Sequence, residues 1–207
     1  MDPDVPLLRG PQGGPTLASK RHPGRRKVAL ALAGLAVLAA GAGGWPLARW
    51  VNERRIEARI DAYSDLIWRE AEASALPPDL VQAVIRAESR GLAGAVSSAG
   101  AKGLMQITPP AEREARDLLG LSEGDLFDPE YNIRIGTVYL RRLVERFGGD
   151  LHLTLAAYHW GPTRVQTLRD EHPGLSGQEL VERHGPRATA RYCREVLGGR
   201  ALVLPSL

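Results

Sequence analysis

Read from the N-terminus, the 207-residue chain changes its hydrophobic pattern twice. Residues 1–27 interleave Pro3, Pro6, Pro11, Pro15 and Pro23 with glycine and charge; they offer little apolar surface to bury and are expected to be disordered. Residues 28–48 contain no charged residue and are dominated by Ala, Leu and Val. As a helix rising about 1.5 Å per residue, such a run spans roughly 30 Å, the thickness of a bilayer core. Beyond it the apolar positions recur at helical spacing. Ile56, Ile60, Tyr63, Ile67 and Ala71 form one stripe, predicting an amphipathic helix from Arg49 to Ala75 that Leu76-Pro77-Pro78 stops.

The same signals divide the rest. Asp79 with Gln82 three residues on predicts a capping box opening a helix to about Arg90, closed by Gly91. Residues 91–108 read as a Gly/Ser/Ala-rich loop with room for a small β-hairpin. Pro109-Pro110 opens a short charged helix to Leu119, and Asp128-Pro129 opens a longer one to about Phe147. A helix from Leu151 to Trp160 is stopped by Gly161-Pro162. Residues 172–186 read mostly as loop, and Pro186 opens a last helix to about Leu197. No strand-like alternation of useful length occurs. The expectation is a mainly α domain over 61–200, behind a helical lead-in 49–60, an apolar segment 28–48 and a tail 1–27.

Charge sharpens the N-terminal part. The formal net charge is +3, but residues 1–27 hold six basic and two acidic residues. The remainder is close to neutral, which argues against a nucleic-acid partner. Arg25-Arg26-Lys27 precede the apolar run directly, and Trp45 and Trp50 mark its far interface. By the positive-inside rule this places the N-terminus in the cytoplasm and the body of the protein beyond the membrane. The expected location is a single-pass inner-membrane anchor with the domain in the periplasm. The alternative is a cleavable signal peptide cut near Ala42, after the small residues Ala40-Gly41-Ala42. The single Cys193 excludes an internal disulfide framework and a cysteine-rich zinc site; neither metal nor cofactor is expected.

Glu88 is the residue that invites chemistry. It follows Val81 and Ile85 by seven and three positions, so it projects from the apolar face of its helix, in the last turn. Desolvation and the helix dipole both disfavour its charge and should raise its pKa, as a general acid near neutral pH requires. A surface pairing with Arg86 or Arg90 is the competing reading. The loop that follows has no Asp or Glu before Glu112, and Lys102 is its only charge after Arg90. Ser97, Gly100, Gly103 and Gln106 make it small, neutral and hydrogen-bonding. That composition suits a hydroxyl-rich neutral polymer better than a metal or a phosphate ester.

These residues also carry a resemblance. Glu88-Ser89, then Ser97, then the run from Gly100 to Pro109, resemble the signature of the soluble-lytic-transglycosylase (SLT) family. Asp128 to Ile133 with Gly136 and Tyr139-Leu140, then Ala156-Ala157-Tyr158-His159-Trp160-Gly161, then Arg191-Tyr192, extend the likeness in order over about 61–197. The resemblance implies a lysozyme-like, SLT-type α fold. It implies cleavage of the MurNAc-β-1,4-GlcNAc bond of peptidoglycan glycan strands to a 1,6-anhydromuramoyl end, with Glu88 as sole acid and base. By motif position Ser97 would bond Glu88 or the substrate acetamido group, Gln106 would line the sugar site, and Tyr158 would orient the acetamido group or the acid. Met105 and Tyr192 complete the candidate substrate-binding set, although Met105 reads more naturally as core. Ser89, Gly103 and Asn132 fall to structural positions, Asn132 fixing a helix start or a neighbouring loop.

His159 stands where the family usually has Asn, Thr108 where many members have Met, and Ala188 where Glu often precedes Thr189. These departures bear on the extent of the sugar site and the glycan preferred. Two other functions compete: a hydrolase like goose-type lysozyme, which the missing second carboxylate disfavours, and a non-catalytic wall-binding subunit of an envelope machine.

Overall fold

A computed structural model describes residues 45–198 and 204. The chain divides into two units, Met1–Arg49 and Trp50–Leu207. Of the first, only 45–49 are described, and they are helical. The proline-rich stretch 1–27 and residues 28–44 of the apolar run lie outside the described residues. No helix among the described residues is long and apolar enough to cross a membrane.

The described part of the second unit is mainly α. Within it, helix α1 covers 50–61. It is followed by α2 (Ser64–Ala73), α3 (Pro78–Ser89), α4 (Pro109–Leu119), α5 (Pro129–Arg146), α6 (Leu151–Trp160), α7 (Pro162–Glu171), α8 (Gly177–His184) and α9 (Arg187–Leu197). The helix expected from 49 to 75 is broken at 62–63. Its stripe continues across the break: Ile56, Ile60, Ile67 and Ala71 are all buried, because both helices face one core. The lead-in is thus packed, and Arg86 of α3 ties it down by reaching Glu53 at 3.2 Å and Glu57 at 3.7 Å.

Two further expectations need correction, the opening of α3 and the loop 172–186. The Asp79–Gln82 capping box does not form. The N-cap of helix α3 falls two residues earlier, at Pro77, with Pro78 in the first turn, where proline's fixed φ and missing N–H cost nothing. Gly161-Pro162 stops α6 at Trp160 as expected, and a further helix follows at once. Gly161 (φ 106°) turns the chain between α6 and α7, and Pro162 starts the new helix. The presumed loop 172–186 contains α8, opened by a capping box in which Ser176 Oγ accepts from Glu179 N–H and Glu179 accepts from Ser176 N–H. Leu180 and Val181 anchor that helix in the core.

Among the side-chain caps, Asp128 acts as expected and Asp150 is one that the sequence reading did not name. Asp128 Oδ1 accepts from Tyr131 N–H at 2.8 Å to cap α5, and Asp150 Oδ1 accepts from Leu153 N–H at 3.0 Å to cap α6. Helix α6 is the central post, with Leu153, Thr154, Leu155, Ala156 and Ala157 buried against α5, α7, α8 and α9. The 91–108 loop contains only isolated antiparallel bridges, Val96 with Lys102 and Lys102 with Ile107.

Candidate active site

The loop after α3 is pinned from beneath by Asn132 of α5. Its side chain is fully buried. Oδ1 accepts from Met105 N–H at 2.8 Å, and Nδ2 donates to Lys102 O at 3.0 Å and Leu126 O at 2.8 Å. Gly103 is obligatory here. At φ 76°, a Cβ on it would sit 2.1 Å from Asn132 Nδ2 and 2.2 Å from Leu126 O. Met105 is not a sugar contact through its side chain, which is completely buried against Gly136. Its carbonyl does the local work, accepting from the Tyr158 hydroxyl at 2.7 Å.

Gln106 holds a left-handed backbone (φ 49°), and its Nε2 donates to Gly103 O at 2.9 Å and Ala95 O at 3.2 Å. The amide therefore braces the loop while lining the adjacent cleft. Ser97 is held in the same loop rather than against Glu88: its Oγ accepts from Ala101 N–H at 3.0 Å. Ser89 is buried and donates to Ile85 O at 3.3 Å within its own helix.

Glu88 sits on the last turn of α3, partly covered, with no ion pair among the described residues. The surface pairing that competed for it is excluded for Arg86, which is occupied by α1. Arg90 is exposed, takes the left-handed cap position and bonds no carboxylate. Burial pushes the Glu88 pKa up from 4.5 to about 7; the Tyr192 hydroxyl pulls it down, and the charge of Glu195 adds to the rise. Tyr192 is buried, and its hydroxyl stands beside the carboxyl without closing a hydrogen bond of normal geometry. Tyr158 also lies within reach of the Glu88 charge, which together with burial drives its own pKa well above 10. A carboxyl in this state releases a proton near neutral pH and can take one back.

A cleft of about 410 Å³ shares Tyr158 with this group, although Glu88 itself does not line it. Its walls include Gln106, Glu114, Tyr139, Tyr158, His159 and Trp160. The rings of Tyr139 and Tyr158 are 5.7 Å apart, giving an apolar wall with polar edges. Sequence reasoning missed Glu114, Tyr139 and Trp160 as cleft residues and Glu195 as a neighbour of the acid. For Glu195 a signal existed: it follows Tyr192 by three residues and so shares a helix face with it. Among the described residues no group of three or more His, Cys, Asp or Glu side chains could hold a metal ion.

Comparison with known proteins agrees with this geometry. The sequence profile described as Transglycosylase SLT domain matches residues 65–181. The chain is 35% identical over 141 residues to the soluble lytic murein transglycosylase of Escherichia coli strain K12, covering 66% of this chain and 22% of that protein. It is 27% identical over 168 residues to the membrane-bound lytic murein transglycosylase C of Edwardsiella ictaluri, covering 68% and 46%. Among solved structures, an inactive mutant of the lytic transglycosylase Slt from Pseudomonas aeruginosa superposes with a TM-score of 0.61 at 31% identity, over 66% of this chain and 23% of that one. A 70-kDa soluble lytic transglycosylase bound to bulgecin A superposes at 0.62 and 31% identity, over 79% and 26%. The chain thus spans about a fifth of the length of the soluble relative.

Proposed function

This chain belongs to the transglycosylase SLT-domain family, and from that premise we propose that it is a peptidoglycan lytic transglycosylase with Glu88 as its one acid and base. The observation that carries the reading is the setting of Glu88: half-buried, beside Tyr192 and without a cationic partner among the described residues, so that burial pushes its pKa up to about 7. A carboxyl of that kind protonates the glycosidic oxygen between MurNAc and GlcNAc as the C1–O bond breaks. The substrate's own acetamido oxygen closes on C1 and holds the positive charge. Glu88, now a carboxylate, takes the proton of the C6 hydroxyl as that oxygen attacks C1 and the acetamido group leaves. The product is a 1,6-anhydromuramoyl end, and no water is consumed. Tyr192 favours the carboxylate that exists between the two proton transfers.

In this reading Gln106 and Tyr158 line the glycan site, and Ser97 retains a hydroxyl proton to donate to the sugar. The domain occupies 61–200 behind the lead-in 49–60. The basic tail 1–27 and apolar run 28–48 anchor it in the inner membrane with the domain in the periplasm. The charge pattern at Arg25-Arg26-Lys27 supports that topology.

Digestion of purified sacculi by the full-length chain and by E88Q tests the reading. The wild type should release anhydro-muropeptides, each lighter by one water than its hydrolytic counterpart, and E88Q should release almost none. Products that have gained water would instead identify a lysozyme-like hydrolase, with Glu195 the first candidate for its second carboxylate. Equal release by both proteins would remove Glu88 from the chemistry.

A further inference from the structure

The cleft has a polarity that the acid does not account for. His159 is exposed on its wall, at the C-terminal end of α6. Two residues of α9 fix the imidazole. Its Nδ1 lies 3.1 Å from the hydroxyl of buried Thr189, and its ring packs on Tyr192 with centroids 4.6 Å apart and planes at 32°. Arg191, between those two residues on α9, is exposed and has no carboxylate within 4.0 Å among the described residues. The imidazole is held by one edge and one face on the cleft wall, and the guanidinium of Arg191, which does not line that wall, lies near enough for its charge to act on the ring.

We propose that His159 and Arg191 together recognise a carboxylate carried by the muramyl side chain of the glycan. The inference rests on the reading of this cleft as a glycan site. The lactyl ether of muramic acid ends in a carboxyl group, free in peptide-stripped strands and extended by carboxylate-bearing residues where a peptide is attached. Either source supplies the same planar anion, which a guanidinium and an imidazole N–H suit.

The other charges around His159 do not cancel this spot. Glu114, on the α4 wall of the cleft, faces Arg142 at 3.7 Å. Neither Glu88 nor Glu195 contributes to the electrostatics of the His159 ring, on which Arg191 is the charge that acts. Burial first and the Arg191 charge second hold the imidazole below its ordinary 6.5, so the empty site keeps it neutral at pH 7. A carboxylate arriving between the two would reverse that balance and draw a proton onto the ring.

Binding measured in the full-length E88Q protein tests it, because no turnover intervenes. The probes are a GlcNAc-MurNAc tetrasaccharide with free lactyl carboxylates, its primary amide, and the peptide-bearing tetrasaccharide with its peptide carboxylates free or amidated. A carboxylate form should bind about tenfold more tightly than its amide, the size of one good charge-assisted hydrogen bond. H159N and R191Q, each added to E88Q, should cut that ratio to about two or less. The His159 imidazole resonances should titrate at higher pH with the carboxylate bound and not with the amide. A preference confined to the peptide-free pair identifies the lactyl group, and one confined to the peptide-bearing pair identifies the peptide; either supports the proposal. If all forms bind and neither substitution changes the ratio, the proposal is overturned while the glycan reading stands. If no form binds, both fall.

Discussion

Glu70 and Glu88 lie on adjacent helices of the same core, yet they are opposite kinds of carboxylate. Glu70 on α2 is buried within an arginine cluster. Arg69 Nε donates to it at 2.9 Å and Arg134 Nε at 3.2 Å, and Glu130 bridges the two arginines at 2.8 and 3.2 Å. The cluster ties α2 to α5, and its charges are compensated in place. Glu88 on α3 is sheltered too, but its neighbours are two tyrosines and another carboxylate. Burial alone therefore does not mark a chemical group. What separates the two is whether the fold supplies a cation: where it does, the carboxylate is structural, and where it withholds one, the cost of charge appears as a raised pKa.

The widest gap between them should be in turnover. E88Q should lower muropeptide release about 10³-fold, within the range for removing a general acid. E70Q should leave turnover per folded molecule within a few-fold. A folded E70Q as inactive as E88Q would erase the distinction.

Stability should separate them with opposite signs. E70Q removes the charge that Arg69 and Arg134 share. Because both arginines are partly exposed, the loss should be about 1–3 kcal/mol by urea unfolding at pH 7. E88Q should do the reverse. The folded pKa of about 7 lies above the ordinary 4.5, so below pH 4.5 the carboxyl is protonated in both states and costs nothing extra. As pH rises from 4.5 to 7 the unfolded chain ionises more easily, and the native state loses stability relative to it. Above pH 7 that cost is complete, roughly 2–4 kcal/mol. E88Q should recover most of it at pH 8 and nothing at pH 4. A uniform effect at both values would mean that the carboxyl is not perturbed.

The loop that follows Glu88 is held by Asn132 of α5, which is the residue to remove there. N132A deletes three hydrogen bonds, two of them buried, and leaves Met105 N–H without its partner, for a loss of about 2–3 kcal/mol. Its activity should fall more than its stability explains, because the Met105 carbonyl positions Tyr158. Wild-type kcat in a folded N132A protein would disconnect the loop from the site.

The helix caps were legible in the chain because their chemistry is local. Asp128 and the proline starts need only residues within one turn, and α4, α5 and α9 follow from them; Asp150, which caps α6, was just as local and went unread. Ser176 with Glu179 was an equally local signal, masked by the glycines and prolines around it. The break at 62–63 was not legible, since an apolar stripe keeps its phase when two helices share one core. The exposure of Glu88 to desolvation could be read from its spacing to Val81 and Ile85. Its company could not: Tyr192 and Glu195 reach it only because α9 packs on α3, a long-range event that no local pattern encodes. The cleft wall at Glu114 and Trp160 is likewise a product of packing.

The smallest effect probes that company. Tyr192 is the one neighbour that favours the charged form of Glu88, and it does so without a well-formed hydrogen bond. Removing its hydroxyl in Y192F should therefore move the Glu88 pKa further up, by roughly half a unit. Because the reaction needs the protonated acid, the wild-type rate should fall as pH rises through about 7, and the same limb in Y192F should fall at a slightly higher pH. The plateau below it should drop as well, since the carboxylate formed after the first proton transfer loses support. The fold should be unharmed, because the deleted hydroxyl is buried and unbonded and its removal relieves a desolvated group. A limb displaced to lower pH would show that Tyr192 opposes the carboxylate. The contrast with Glu70 would then rest on burial and Glu195 alone.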